Sequence, residues 1–323
     1  MIKPKVLIAR QVPDFVEEYI GEYCDYEKFE KDEKISYDAI LNKLQDKEGL
    51  LTVGTNIDDK LLKHGPNLKV VSNISVGYNN FDINEMKKRK VIGTNTPGVL
   101  NDTVADLIFG LILTSARKLS ELDRYVKEGR WEMMDSEIIF GKDVHHSTLG
   151  IIGMGRIGQD VAKRAKFGFD MDVLYYNRSR KYEAEESLGV KYTELNSLLQ
   201  KSDFILIMTS LTDETYHMID ETEFALMKKD AIFINASRGA TVNEVALVNA
   251  LKKNRILGAG LDVYEKEPVD KNNPLLKLSN VVTLPHIGSA TVKTRSDMSL
   301  LAAQNMVKAL YGEVPPNIVP ELK

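Results

Sequence analysis

Residues 148–158 read Thr148-Leu149-Gly150-Ile151-Ile152-Gly153-Met154-Gly155-Arg156-Ile157-Gly158. A short apolar run passes into a GxGxxG spacing, and helix-forming sequence continues to Gly168 before a second apolar run, Asp172 to Tyr176. The glycine spacing alone is weak. Set between a strand and a helix, within a strand–helix–strand unit, it marks a dinucleotide-binding fold. The glycines let backbone N–H groups and a helix N-terminus approach a pyrophosphate. Gly153, Gly155, Arg156, Ile157 and Gly158 are therefore the candidate phosphate-binding residues.

Downstream, the same alternation continues. Strands are predicted at 148–153, 172–177, 203–209, 231–235, 257–263 and 280–284, with helices near 156–168, 194–200, 221–227 and 243–253. Upstream, Val6–Ala9, Leu50–Val53, Val70–Ile74 and Val91–Gly93 read as buried strands, separated by helical segments at 13–21, 36–46 and 82–90. Regular strand–helix alternation predicts an α/β protein of parallel, doubly wound sheets. One long helix is expected from Asp102 to Gly129, apolar from Leu107 to Leu113, and a last helix from Thr291 to Tyr311. That tail lies beyond the second sheet and is expected to return to the first unit. The expected division is 1–100 plus 290–323 for a discontinuous first domain, and 101–289 for the dinucleotide-binding domain.

At 323 residues, two domains are a natural size. With 43 Lys and Arg against 47 Asp and Glu, the formal net charge of −4 provides no footprint for nucleic acid. Lys87-Lys88-Arg89-Lys90 is a basic run, but it ends a predicted helix, where cations oppose the dipole. Cys24 is the single cysteine, so no internal disulfide is expected. The apolar run near the N-terminus is too short for a signal peptide, and no run is long enough for a membrane helix. A cytoplasmic location without membrane partners is expected.

At the end of the second strand of the unit, dinucleotide sites for NAD place an acidic residue that accepts from the ribose 2′-OH. Here the chain reads Asn177-Arg178-Ser179-Arg180. The acid is missing and two arginines stand beside its place. A guanidinium grips a phosphate where a carboxylate would repel it. NADP(H) is therefore expected in preference to NAD(H), with NAD(H) use possible in principle. The alternative is two exposed loop arginines.

Three later segments follow predicted strands: Asn235-Ala236-Ser237-Arg238-Gly239, Gly260 to Pro268, and Pro285 to Thr291. Open α/β sheets bind ligands at such carboxyl ends. Arg238, Glu267 and His286 would supply a cation for an anionic substrate, a carboxylate favouring the imidazolium, and a proton donor. Taken alone, His286 reads equally as a satisfied buried histidine, and Asp262 as a loop-bonding acid. His145-His146 has no further ligand at metal spacing, so no metal is expected. His64 and His217 have no sequence context and default to surface or packing.

With these segments, the chain resembles the D-isomer-specific 2-hydroxyacid dehydrogenases over nearly its whole length. The resemblance rests on VGYNNFD at 76–82, TPGVLNDTVAD at 96–106, GMGRIG at 153–158, NASRG at 235–239, GLDVYEKEP at 260–268 and PHIGSAT at 285–291. The runs SNISVGYNNFD, HHSTLG and NRSR are similar to the branch of bacterial glyoxylate/hydroxypyruvate reductases that also reduce 2-ketogluconate. The resemblance implies two Rossmann-like domains, a flavodoxin-like substrate domain and an NAD(P)-binding domain. It implies that His286 is the acid/base, Glu267 its partner and Arg238 the residue holding a small 2-oxoacid. Val76 and Gly77 would receive the carboxylate through backbone N–H groups. Thr103 and Asp262 would lie near the nicotinamide, and the matched motifs add Ala236, Ser237 and Gly288 to the cofactor contacts. A homodimer joined through 102–140 is implied; in animal relatives an aromatic from that loop enters the neighbouring site, and its place here is Ile138.

The expected function is NADPH-dependent reduction of glyoxylate, hydroxypyruvate and 2-ketogluconate. Two alternatives stand beside it. One is an NAD-linked dehydrogenase of other specificity, of phosphoglycerate or D-lactate type. The other is a non-catalytic nucleotide sensor, since a fold does not fix a function.

Overall fold

In the computed structural model, residues 2–30, 35–132 and 137–323 are described, apart from the Ile138 side chain. The side chain at the position matched to the aromatic of animal relatives thus lies outside what is described. The chain divides into two compact units, residues 1–100 with 290–323 and residues 101–289.

The first unit begins with β1 (Lys5–Ile8), α1 (Asp14–Tyr23), β2 (Asp25–Lys28), α2 (Tyr37–Lys43), β3 (Gly49–Thr52), α3 (Asp59–His64), β4 (Val70–Asn73), α4 (Ile83–Lys88) and β5 (Ile92–Thr94). The helix starts are set by side chains that accept the orphan N–H groups of the first turn. Ser36 accepts from Ala39, Asp58 from Leu61 and Asp82 from Glu85. All five strands are parallel, in the order β2-β1-β3-β4-β5. This is the flavodoxin-like winding. The central strands β3 and β4 are buried throughout, which is why they read as continuous apolar runs.

The second unit opens with α5 (Asn101–Ala116) and α6 (Leu119–Lys127). The long helix expected over 102–129 is therefore two helices. Lys118, at the junction, has φ of 54°, the left-handed region, which ends α5 and redirects the chain. There follow β6 (Thr148–Ile152), α7 (Arg156–Phe169), β7 (Asp172–Tyr176), α8 (Tyr182–Leu188), β8 (Lys191–Tyr192), α9 (Leu195–Lys201), β9 (Phe204–Ile207), α10 (Glu221–Leu226), β10 (Ile232–Asn235), α11 (Glu244–Lys252), β11 (Gly258–Leu261) and β12 (Val281–Thr283). The seven strands are parallel, ordered β12-β11-β10-β9-β6-β7-β8. Counted from β6, this is the Rossmann order, and its direction reverses between β6 and β9. One face of the sheet packs Ile152, Ile207, Phe233 and Leu261 against Leu198, Phe224 and Leu247 of α9, α10 and α11. On the other face α5 and α7 lie side by side. Phe109 stacks on Phe169 at 4.9 Å, and Arg164 pairs with Asp102 and Asp106.

The closing helix α12 (Val292–Leu310) belongs to the first unit, where it covers the sheet face over β3 and β4. Ser72 donates to the Ala302 carbonyl at 2.7 Å, and Asn305 donates to that of Asn95. No helix among the described residues is long and apolar enough to cross a membrane.

Candidate active site

The switch point between β6 and β9 brings Gly153 against the backbone that follows β9. A Cβ on Gly153 would lie 2.6 Å from the Met208 carbonyl oxygen, and its φ is +104°. A Cβ on Gly158 would meet the Gly153 oxygen at 2.5 Å. These two glycines serve close packing. Gly155 differs, because nothing lies within 4 Å of its missing Cβ. It caps α7 without a side chain, and the first turn of α7 holds no acid. The N–H groups of Arg156, Ile157 and Gly158 donate to no acceptor among the described residues. Thr209, beside Gly153, has a buried hydroxyl without a partner. A helix N-terminus, three undirected donors, an orphaned hydroxyl and open space at Gly155 together fit a pyrophosphate.

At the tip of β7 the two arginines have different surroundings. Arg180 is engaged. Its Nε and Nη2 each lie 2.7 Å from a Glu185 oxygen, and its guanidinium stands over Tyr182 and Tyr192. Glu185 also accepts from the Tyr175 hydroxyl, and the Arg180 hydrogen bonds hold its carboxyl down at about 2. Arg178 is 88% exposed and pairs with Glu214, itself 71% exposed, at 3.2 Å. Asn177 closes the turn by donating to the Ser179 carbonyl. The sequence placed both arginines together; Arg178 is the more open, 88% exposed against 48% for the bidentate-paired Arg180.

The carboxyl ends of β10, β11 and β12 build a second cluster. Glu267 Oε2 lies 2.6 Å from His286 Nδ1, and Oε1 accepts from the Tyr264 N–H at 3.0 Å. Burial would raise the Glu267 carboxyl. The His286 bond, the Tyr264 N–H and the charges of His286 and Arg238 outweigh it, and the group lies below its ordinary value. His286 sits at φ of 53°, uncommon for a residue with a Cβ. The strained turn is held from below by Asp262, only 1% exposed, whose two oxygens accept the N–H groups of Ile287 and Gly288 at 2.8 Å each. Burial keeps the Asp262 carboxyl above its ordinary value, against the pull of those donors.

Arg238 follows β10 through Ala236 and Ser237. Asn235 fixes that turn: its Oδ1 accepts from Ser237 N and Oγ, and its Nδ2 donates to the Arg238 carbonyl. Arg238 Nη1 donates to the Ser237 carbonyl at 2.7 Å. Burial lowers the affinity of its guanidinium for a proton, and the Glu267 charge opposes that. The next residue must be glycine, because a Cβ on Gly239 would lie 1.8 Å from the Tyr264 carbonyl carbon. Thr103 lies half-buried in the first turn of α5, and its neighbour Val104 is 3.4 Å from the missing Cβ of Gly288.

In the first unit, Val76 and Gly77 follow β4. Their carbonyls accept from Asn95 and Asn73, and their own N–H groups donate to no acceptor among the described residues. Two adjacent free N–H groups beyond a strand end suit a carboxylate.

The sequence reading passes over Thr209 and Glu185 and leaves His217 to surface or packing. Thr209 was reachable, since it follows β9 at the switch point. His217 was not. Its partner Glu265, at 2.6 Å, lies in a segment that no local pattern links to it. Among the described residues no group of three or more His, Cys, Asp or Glu is arranged to hold a metal ion.

Residues 109–288 match the sequence profile of the D-isomer specific 2-hydroxyacid dehydrogenase, NAD binding domain. A glyoxylate reductase of Thermococcus litoralis is 46% identical over 323 residues, spanning 98% of this chain and 97% of its own. A glyoxylate/hydroxypyruvate reductase B of Escherichia coli is 44% identical over 318 residues, spanning 98% of each. A solved structure of an NADPH-dependent glyoxylate/hydroxypyruvate reductase from Sinorhizobium meliloti, in complex with NADP and malonate, superimposes with a TM-score of 0.88. It is 30% identical and covers 99% of this chain and 98% of its own.

Proposed function

The chain belongs to the D-isomer-specific 2-hydroxyacid dehydrogenase family, and from that premise we propose that it reduces small 2-oxoacids to D-2-hydroxyacids with NADPH as preferred reductant. Glyoxylate and hydroxypyruvate come first as substrates, on the names of its relatives, and 2-ketogluconate third. The observation that carries the reading is the 2.6 Å contact of His286 with Glu267, one segment from a half-buried Arg238.

Reduction of a carbonyl adds a hydride to carbon and a proton to oxygen. A reduced nicotinamide, when bound, supplies the hydride. The dinucleotide is assigned to Gly153, Gly155, Arg156, Ile157 and Gly158 for its pyrophosphate, with Thr103, Ala236, Ser237, Asp262 and Gly288 assigned to its nicotinamide half. The proton is the protein's part. Glu267 occupies Nδ1 of His286, which leaves Nε2 to deliver a proton to the carbonyl oxygen. Arg238 offers a planar, permanently charged guanidinium to the carbonyl and carboxylate of the oxoacid. Val76 and Gly77 are assigned to a carboxylate by their undirected N–H groups.

The preference for NADPH rests on Arg178 and on the absence of an acid after β7. The exposed Leu119 and Val126 of α6, a helix with no buried residue, support a homodimer. Initial rates of NADPH and NADH oxidation with glyoxylate, hydroxypyruvate and 2-ketogluconate test the reading. NADPH-driven turnover of one or more is expected. Equal kcat/KM with both cofactors would transfer the chain to the NAD-linked alternative, and cofactor binding without turnover to the sensor alternative.

A further inference from the structure

A second histidine–carboxylate pair stands beside the first. His217 Nε2 lies 2.6 Å from Glu265 Oε1, and Glu265 is two residues from Glu267. His217 reaches it from a different segment. Its own N–H donates to the Ala240 carbonyl at 2.9 Å, two residues beyond Arg238. The following residues lie along the same stretch: Ile219 N–H donates to the Thr241 carbonyl, and Asn243 N–H donates back to Ile219. The His217 backbone has φ of 48°, and its ring is stacked on Tyr216 with centroids 4.0 Å apart. A β-carbon residue in the left-handed region persists where its surroundings over-determine it.

Three segments thus meet: 216–219, 238–243 and 262–267. The first contact between the last two is backbone on backbone, Gly239 against Tyr264, where there is no room for a Cβ. The two segments are also tied at their base, where the Asp262 N–H donates to the Asn235 carbonyl at 2.9 Å. His217 adds a further tie, from a third segment. It grips Ala240 through its backbone and Glu265 through its ring, each one residue further along than the Gly239–Tyr264 contact. Glu265 is itself anchored, its N–H donating to Glu244 Oε2 at 3.1 Å.

We propose that His217 and Glu265 are positioning residues, a brace that fixes the segment bearing Arg238 against the segment bearing Glu267. The proposal rests on the assignment of Arg238 and Glu267 as the oxoacid-binding and histidine-orienting residues. The brace touches neither cofactor nor substrate in this scheme. It acts on the precision with which a guanidinium and a His–Glu pair face one reacting carbonyl, where displacements near 1 Å cost roughly a hundredfold in rate.

The experiment uses the full-length protein and the variants His217→Ala, His217→Gln, Glu265→Ala, Glu265→Gln and the double alanine variant. Steady-state rates are measured with NADPH and glyoxylate. The expected result is a kcat about tenfold lower in either alanine variant, the cost of a displacement smaller than 1 Å, with KM for NADPH unchanged. His217→Gln, which keeps an N–H donor, recovers most of the loss, as does Glu265→Gln, which keeps an acceptor. The double variant loses no more than one single variant, because one tie is removed in each case. Unchanged kcat in the alanine variants overturns the brace. So does a loss that multiplies in the double variant, or one that the conservative variants fail to recover. Amide hydrogen exchange supplies a readout independent of turnover. Faster exchange at Ile219, Thr241 and Asn243 in His217→Ala is expected, and unchanged exchange overturns the proposal. Should the unaltered protein reduce no 2-oxoacid, the assignment of Arg238 and Glu267 fails, and the exchange result alone then decides the brace.

Discussion

At the residue scale, the chemistry rests on one histidine in a strained turn and on the carboxylates that hold it. His286→Gln removes the only imidazole in the cluster while leaving the β6–α7 loop untouched. Its kcat should fall by a factor of about 10² to 10⁴, the range for a positioned general acid, with the dissociation constant for NADPH unchanged. Fluorescence titration beside steady-state rates separates the two, and retained turnover would remove His286 from the proton path. Asp262→Asn tests the floor of the same turn. An amide oxygen can accept from Ile287 or Gly288, but its NH₂ then faces the other N–H. A charge-assisted hydrogen bond is worth about 1.5–3 kcal/mol. Relief of the burial that now raises the Asp262 carboxyl returns part of that to stability. The expected outcome is a small change in Tm with a kcat lowered about tenfold, and the reverse pattern would make Asp262 purely structural. Arg238, Glu267 and His286 were legible because each follows a short apolar run, where strand ends gather ligands. Val76 and Gly77 carry no side-chain signal at all; their two open N–H groups show only once the backbone is folded. His217 was illegible for a different reason, since the contact that gives it meaning is tertiary.

At the scale of elements, legibility followed burial. Strands enclosed on both faces, such as β9 (FILI) and β10 (IFIN), read directly as apolar runs. The edge strands β2 (DYEK) and β8 (KY) are polar and escaped notice, because an edge has solvent on one side. The break at Lys118 escaped because no glycine or proline announces it. The tip of β7 is an element in this sense too, as Arg180, Glu185, Tyr175 and Tyr192 form one unit. Glu185→Gln should lower Tm at neutral pH. Its carboxyl lies near 2, below the ordinary 4.5, so its stabilisation is present above 4.5 and is lost as pH falls toward 2. The Tm gap between variant and parent should accordingly narrow below pH 4.5 in thermal melts, and a constant gap would assign the effect to packing. The end of α7 allows the opposite change. Asp170 caps it at φ of 51°, exposed and acidic where the helix dipole is negative. Asp170→Gly should raise stability by about 1 kcal/mol in denaturant unfolding, since glycine reaches that conformation freely.

At the scale of the whole molecule, the alternation of strand and helix was enough to predict two parallel sheets, and the switch point of the second sheet located the phosphate loop. What it could not weigh is one phosphate on a dinucleotide, a difference that only a global equilibrium reports. A ligand bound to the native state alone stabilises it by RT ln(1 + [L]/Kd), about 2.7 kcal/mol at a hundredfold excess over Kd. The net charge of −4 works against a cofactor carrying an additional phosphate, so any preference for NADPH must arise locally. Arg178 is the more open of the two guanidiniums at the β7 tip, and a charge-assisted contact there is worth about 1.5–3 kcal/mol, roughly ten- to a hundredfold in Kd. At equal concentrations NADPH should therefore raise Tm by several degrees more than NADH, at about 2–4 °C per kcal/mol for a unit of this size. Arg178→Ala should erase that excess and leave the shift with NADH intact. Added salt should shrink the NADPH shift first, because the contact is an exposed ion pair that counterions screen. Equal shifts from the two cofactors in the parent protein, or equal losses in the variant, would place Arg178 outside the site and return the cofactor choice to the NAD-linked alternative.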